Sequence, residues 1–172
     1  MKLLCELTEK DVGIKPTHCS KYAVRKAARA ILFNSEDKVA LLNVGKLRYY
    51  KIPGGGVEGE ENVAKGLERE ILEETGCKAK VTNEVGMIIE YRAGIATLQI
   101  NYCFIAKVQG KPGVVQFTKE ELDRDFKLQW VSLDEAISLV KNATPSDEEY
   151  DPLFIQKRDL TFLQKAKEVL KK

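Results

Sequence analysis

One stretch, Gly54 to Cys77, constrains this chain more than any other: GGGVEGEENVAKGLEREILEETGC. A cluster of glycines runs into a helix-length segment carrying Glu58, Glu60, Glu61, Glu68, Glu70, Glu73 and Glu74, opposed only by Lys65 and Arg69. Like charges on one helix repel, so this density of acid costs stability unless cations neutralise it. At about 100° per residue, Glu70 and Glu74 stand roughly 40° apart, and Glu73 lies roughly 60° from Glu70 on its other side. Val63, Ala64, Leu67 and Ile71 make an apolar stripe beside the carboxylates. The acids therefore belong at the edge of a docked helix face, and not on its solvent pole. Hard oxygen donors at this density suit Mg²⁺ or Mn²⁺. Three glycines before a helix allow close backbone approach to a ligand, and phosphate commonly binds where backbone amides converge. On composition alone the bland reading is a solvated Glu-rich helix; the spacing argues against it.

The rest of the chain is ordinary. With 172 residues, a net charge of +2 and 44% hydrophobic residues, it is expected to form one domain, 1–172. That charge balance gives no general argument for nucleic-acid or membrane binding. Cys5, Cys19, Cys77 and Cys103 have no CxxC spacing and His18 is the lone histidine, so a zinc cluster is not expected and three of the thiols read as buried and reduced. The opening MKLLCELTEKD is too short in apolar residues for a signal peptide, and no run approaches a membrane span, so a cytoplasmic protein is expected.

Residues 1–20 form a lead-in that Leu3, Leu4 and Leu7 could anchor as a short strand. Strands are expected over 22–34, 38–44, 47–52, 78–81, 87–91, 96–108, 114–117 and 126–131, with 96–108 alternating most clearly. The acidic helix is expected from about Glu61 to Thr75, stopped by Gly76. Thr118 to Asp125 reads as a polar loop. Ser132 and Glu135 make a capping box that opens a further helix, and 150–172 reads as an amphipathic C-terminal helix through Leu160, Leu163, Ala166, Val169 and Leu170.

Gly55, Glu61, Arg69, Glu70, Ile71, Glu73, Glu74, Gly76 and Cys77 together resemble the Nudix box: Gly, five residues, Glu, seven residues, then Arg-Glu-apolar-any-Glu-Glu-any-Gly-apolar. Cys77 is the mild departure, where Ile, Leu or Val is usual. Glu60 stands where many members have Gly, and Gly66 where many have Ala; a mid-helix Gly costs about 1 kcal/mol relative to Ala. Pro53 before the glycines and Trp130–Ala136 before a helix extend the likeness. The resemblance implies an α/β fold, an α/β/α sandwich around a mixed β-sheet. It implies Mg²⁺-dependent hydrolysis of a nucleoside diphosphate linked to another moiety. By the same resemblance Glu70, Glu73 and Glu74 are metal ligands, Glu74 foremost, and Arg69 and Glu61 orient them. Gly54, Gly55 and Gly56 form the phosphate loop, and Gly76 supports the helix end. A base is Glu70 or lies outside the box, where Glu120, Glu121, Asp123 and Asp125 are candidates.

Substrate choice is faintly marked. Tyr49, Tyr50 and Tyr91 could stack on a base, although strand aromatics more often pack. Relatives that cleave ADP-ribose tend to carry a Pro, and those acting on dinucleoside polyphosphates a Tyr, near the positions held here by Arg92, Ala93 and Gly94. Their absence disfavours ADP-ribose and leaves a nucleoside triphosphate or oxidised nucleotide open. Two other readings stay open: a regulatory module that binds nucleotide without turnover, and an RNA cap hydrolase. A homodimer is compatible with the sequence.

Overall fold

The computed structural model describes residues 1–146 and 149–171. Its framework is a mixed sheet built on β2 (Ala23–Phe33) and β7 (Thr97–Gln109), which run parallel along their length. Ala27–Phe33 is buried throughout. A strand buried on both faces needs a layer on each side. Ala28, Ala30 and Leu32 face a cluster with Leu67 and Ile71 of α1 (Val63–Thr75). Ile31 and Phe33 face Ala136 and Val140 of α3 (Leu133–Asn142) and Phe154, Phe162, Leu163 and Ala166 of α4 (Asp151–Val169). The result is the α/β/α sandwich the sequence implies. Each buried Phe of α4 stabilises the packed state by about 1.5–3 kcal/mol.

The remaining strands are β1 (Leu3–Thr8), β3 (Val39–Val44), β4 (Tyr49–Lys51), β5 (Gly54–Gly56), β6 (Lys78–Arg92) and β8 (Phe126–Val131). The order is β1-β6-β7-β2-β3-β4, with β5 paired to β2 and β8 to β3. β2 meets β5 at Ala27–Arg29 but meets β3 only at Phe33–Val39. The sheet therefore branches: β5 follows β2, while β4 and β8 follow β3.

Several expectations are corrected. Residues 78–81 and 87–91 are one strand, β6, kinked by register shifts at Val81/Asn83 and Glu84/Gly86. Gly86 has φ 150°, and a Cβ there would meet Leu4 at 2.6 Å. Residues 114–117 are not a strand. They lie over the end of α1, where Gln116 N–H donates to the Glu73 carbonyl at 2.7 Å and Gly113 N–H to the Gly76 carbonyl at 2.7 Å. The polar loop contains a short helix, α2 (Lys119–Asp123), capped by Thr118 and Glu121. The lead-in is part of the sheet, since β1 runs parallel to β6. Ala64 is exposed and Gly66 takes its place on the buried face of α1, against Val57. Leu163 and Ala166 of the C-terminal stripe are buried and Leu170 is exposed, while Phe154 and Phe162 add to the buried face. Cys77 and Cys103 are buried, whereas Cys5 and Cys19 are half-buried. Among the described residues no helix is long and apolar enough to cross a membrane.

Candidate active site

α1 begins where the Asn62 side chain accepts from Lys65 N–H at 2.9 Å and ends at Gly76 in the left-handed region, φ 68°. Docking Leu67 and Ile71 on β2 turns Glu70 and Glu74 toward β4 and β5. Glu74 is 2% exposed. One oxygen accepts from Lys51 Nζ at 2.6 Å and the other from Gly54 N–H at 2.6 Å. Burial raises the Glu74 pKa above the usual carboxylate value, and Lys51 and the Gly54 amide only partly oppose that.

Arg69 gathers the other acids. Its Nε donates to Glu61 at 3.0 Å, one terminal nitrogen to Glu70 at 2.9 Å and Glu73 at 3.2 Å, and the other to the Gly56 carbonyl at 2.8 Å. The hydrogen bond from Arg69 holds the Glu61 carboxyl below its usual range, and the same bond raises the Arg69 pKa. One guanidinium thus ties helix, preceding loop and glycine strand together. Gly55 lies against Glu70, and a Cβ there would fall 2.3 Å from the Glu70 carboxylate oxygens. The glycines form a short strand, not only a turn, because Gly54 and Gly56 pair with Arg29 and Ala27 of β2.

Glu70 and Glu74 line one cavity of about 320 Å³, with Gly54–Gly56, Arg25, Arg29, Lys51, Glu58 and Glu121. Glu73, half-exposed, is joined to this group through Arg69 and does not line the cavity. Among the described residues no three acidic, His or Cys side chains stand close enough to grip an ion as they are. The donor chemistry nonetheless fits a hard divalent cation. Glu74 is a carboxylate buried against the adverse charge of Glu70, and a cation between them would relieve both.

Of the four candidate bases outside the box, Glu121 reaches this cavity, and Glu120 lines an adjoining one of about 210 Å³. Asp123 is exposed and Asp125 pairs with Lys127 at 3.0 Å, away from both cavities. The adjoining cavity is lined by Tyr49, Phe126 and Ile155 as well as Arg29, Lys51, Arg124 and Arg158. Tyr50 and Tyr91 lie elsewhere, Tyr91 stacked edge-on against Tyr22. Sequence reasoning missed Arg29, Lys51 and Arg158. A lone charge in the apolar run AARAILF was a readable signal for Arg29; Arg158 carried none.

A family model, NUDIX domain, matches residues 23–154. Diphosphoinositol polyphosphate phosphohydrolase 2 of Rattus norvegicus is 27% identical over 142 residues, covering 79% of this chain and 75% of that protein. Diphosphoinositol polyphosphate phosphohydrolase 3-alpha of Mus musculus is 26% identical, with 79% and 83% covered. Among solved structures, C. elegans Ap4A hydrolase has a TM-score of 0.58 at 17% identity, covering 86% of this chain and 99% of its own. MutT protein from Methanosarcina mazei Go1 has a TM-score of 0.57 at 18% identity, covering 88% and 99%. These two likenesses speak for the fold alone. The match of the family model across both faces of the sheet and the whole acidic helix makes the chain a member of the NUDIX family, a hydrolase acting on phosphoric anhydride bonds.

Proposed function

We propose that the protein is a Mg²⁺-dependent pyrophosphohydrolase of a small substrate in which a diphosphate links a nucleoside to a further group. The observation that carries the reading is the cavity shared by Glu70, Glu74 and Glu121 beside the Gly54–Gly56 strand. Glu70, Glu73 and Glu74 are the assigned metal ligands. Arg69 and Glu61 orient them, and Gly76 ends the helix that carries them. A bound divalent ion supplies charge relief on the phosphoryl oxygens and a more acidic water. Gly54–Gly56 present bare backbone to the diphosphate, as close approach of the chain requires. Glu121 is the carboxylate we assign to take the proton as water adds to phosphorus and the bridging P–O bond breaks. Tyr49, Phe126 and Ile155 in the adjoining cavity support a nucleoside there. We further propose that 1–172 acts as one domain, supported by pairing of β1 with β6 and burial of α4 against the sheet.

A second substrate reading rests on the relatives named for diphosphoinositol polyphosphates and on Arg29, Arg124, Arg158 and Lys51 in the adjoining cavity. It replaces the nucleoside by a heavily phosphorylated group. The regulatory-module reading would fit a box with lost carboxylates, and this box keeps all of them.

The test is a panel of nucleoside triphosphates, oxidised triphosphates, ADP-ribose, dinucleoside polyphosphates, a diphosphoinositol polyphosphate and a capped RNA, each with Mg²⁺, Mn²⁺ or EDTA. Release of phosphorylated product from a small substrate, abolished by EDTA, is expected. Turnover that is indifferent to EDTA, or confined to capped RNA, would contradict the reading.

A further inference from the structure

Both oxygens of Glu74 are engaged, each by a different kind of donor. Oε2 accepts from the Gly54 backbone N–H at 2.6 Å, and Gly54 belongs to β5, which is paired with β2. That donor cannot withdraw without parting the two strands. Oε1 accepts from Lys51 Nζ at 2.6 Å. Both partners of this ion pair are withdrawn from solvent, the Lys51 side chain at 11% exposure and that of Glu74 at 3%. Lys51 is the last residue of β4 and lines both the cavity of the carboxylates and the one adjoining it. Its Nζ also stands 5.4 Å from the centre of the Phe126 ring, on the wall of the adjoining cavity.

The other two carboxylates assigned to the metal are answered differently. Glu70 and Glu73 share Arg69, whose guanidinium is further fixed by Glu61 and the Gly56 carbonyl. Arginine offers a rigid fork that suits such a multiple tie, whereas lysine is a point charge on a flexible stem. A buried ion pair that serves the fold accounts for the contact of Lys51 with Glu74. It does not account for a mobile cation set where two cavities meet, with an aromatic face in reach as a second resting place. An ammonium and a divalent ion on one carboxylate oxygen would stand a few ångströms apart and repel strongly in a site screened from water. With Oε2 held by a strand, an ion that uses Glu74 takes Oε1 from Lys51.

We infer that Lys51 is an internal counter-ion that competes with the divalent metal for Glu74, its ammonium leaving Oε1 toward the Phe126 side when the ion binds. The inference rests on the reading of Glu74 as a metal ligand. Lys51 is then a positioning residue that sets how tightly the carboxylates hold an ion: they bind a free cation less tightly than they would without it.

The probe is Mn²⁺ alone, titrated calorimetrically into the full chain at one fixed pH in a buffer without phosphate. Lys51→Met keeps the length of the stem and removes the charge, and is expected to bind Mn²⁺ about tenfold more tightly or better than the wild type. Lys51→Arg, which keeps the charge, is expected to stay near the wild type. Adding Glu74→Gln to Lys51→Met is expected to abolish the gain. Equal or weaker Mn²⁺ binding by a folded Lys51→Met, or a gain that survives Glu74→Gln, would overturn the competition. A second measurement needs no uncharged variant: in the wild type, Mg²⁺ is expected to shift the Cε resonance of Lys51, identified by its loss in Lys51→Arg. A resonance unmoved at saturating Mg²⁺ would overturn the displacement. The same preparations are assayed on the substrate panel with Mg²⁺. Turnover by the wild type with no gain of affinity in Lys51→Met would overturn the competition alone. The gain of affinity without hydrolysis of any substrate would overturn the hydrolase reading alone.

Discussion

Glu74 is a carboxylate the fold holds at a cost: 2% exposed, and with its pKa raised first by burial. A raised pKa in the folded state means that its favourable contribution is fully present below the ordinary value of 4.5 and is lost as pH rises through the raised one. The ionised form is therefore the disfavoured one in the metal-free protein, and a cation beside it offsets that cost. Thermal melts should show Mg²⁺ raising Tm more at pH 8 than at pH 5, relative to EDTA. An increment that is flat or falls with pH would count against Glu74 as a ligand. The helix-wheel geometry anticipated that Glu70 and Glu74 stand together. It could not anticipate that Arg69 would hold Glu73 on the outer side, because a wheel gives directions and not partners. Arg158 was unreadable for a related reason: beyond the adjacent Asp159, its neighbours Glu90 and Asn101 come from distant parts of the chain.

Elements differ in how much of themselves the sequence exposed. α1 was legible from its spacing and from Gly76 at its end, whereas its start falls at Val63, after an Asn62 cap that the acidic run masks. α2 was not, being five residues long with Leu122 its only apolar one, although Thr118 and Glu121 spelled a capping box. β5 was hidden because glycine has little preference for a strand; its partner β2 supplies the order. Within β5, neighbouring glycines have different duties. Gly54 has φ 131°, and a Cβ there would stand 2.1 Å from the Ala28 carbonyl oxygen, which is backbone and cannot yield. Gly55 would instead collide with the far end of the Glu70 side chain. Gly54→Ala should thus cost about 1–3 kcal/mol or more in urea denaturation. Gly55→Ala should stay folded and lose Mg²⁺-dependent turnover as Glu70 is displaced. Equal stability losses in the two variants would contradict this division.

At the scale of the whole molecule, the sandwich was legible from strand periodicity and the box, whereas the tie between its layers was not. Asp159 makes that tie. One oxygen accepts from Arg158 at 2.7 Å and the other from the Ile52 backbone N–H at 3.0 Å, joining α4 to the approach to β5. Asp159→Asn would leave Arg158 and Arg29 short of a negative charge in the core, and chemical denaturation should register a loss of about 3–5 kcal/mol. A loss within experimental error would mean that apolar packing of Phe154, Phe162, Leu163 and Ala166 holds α4 without that tie. On the proposed function, the carboxylates of α1, presented beside the glycine strand, carry out metal-dependent cleavage of a phosphoric anhydride. Its most direct test is the Mg²⁺-dependent turnover of Glu74→Gln, on the best substrate of the panel, in a protein whose circular dichroism matches the wild type. A fall of about a hundredfold or more is expected; near-normal turnover by the folded variant would contradict a metal site on α1.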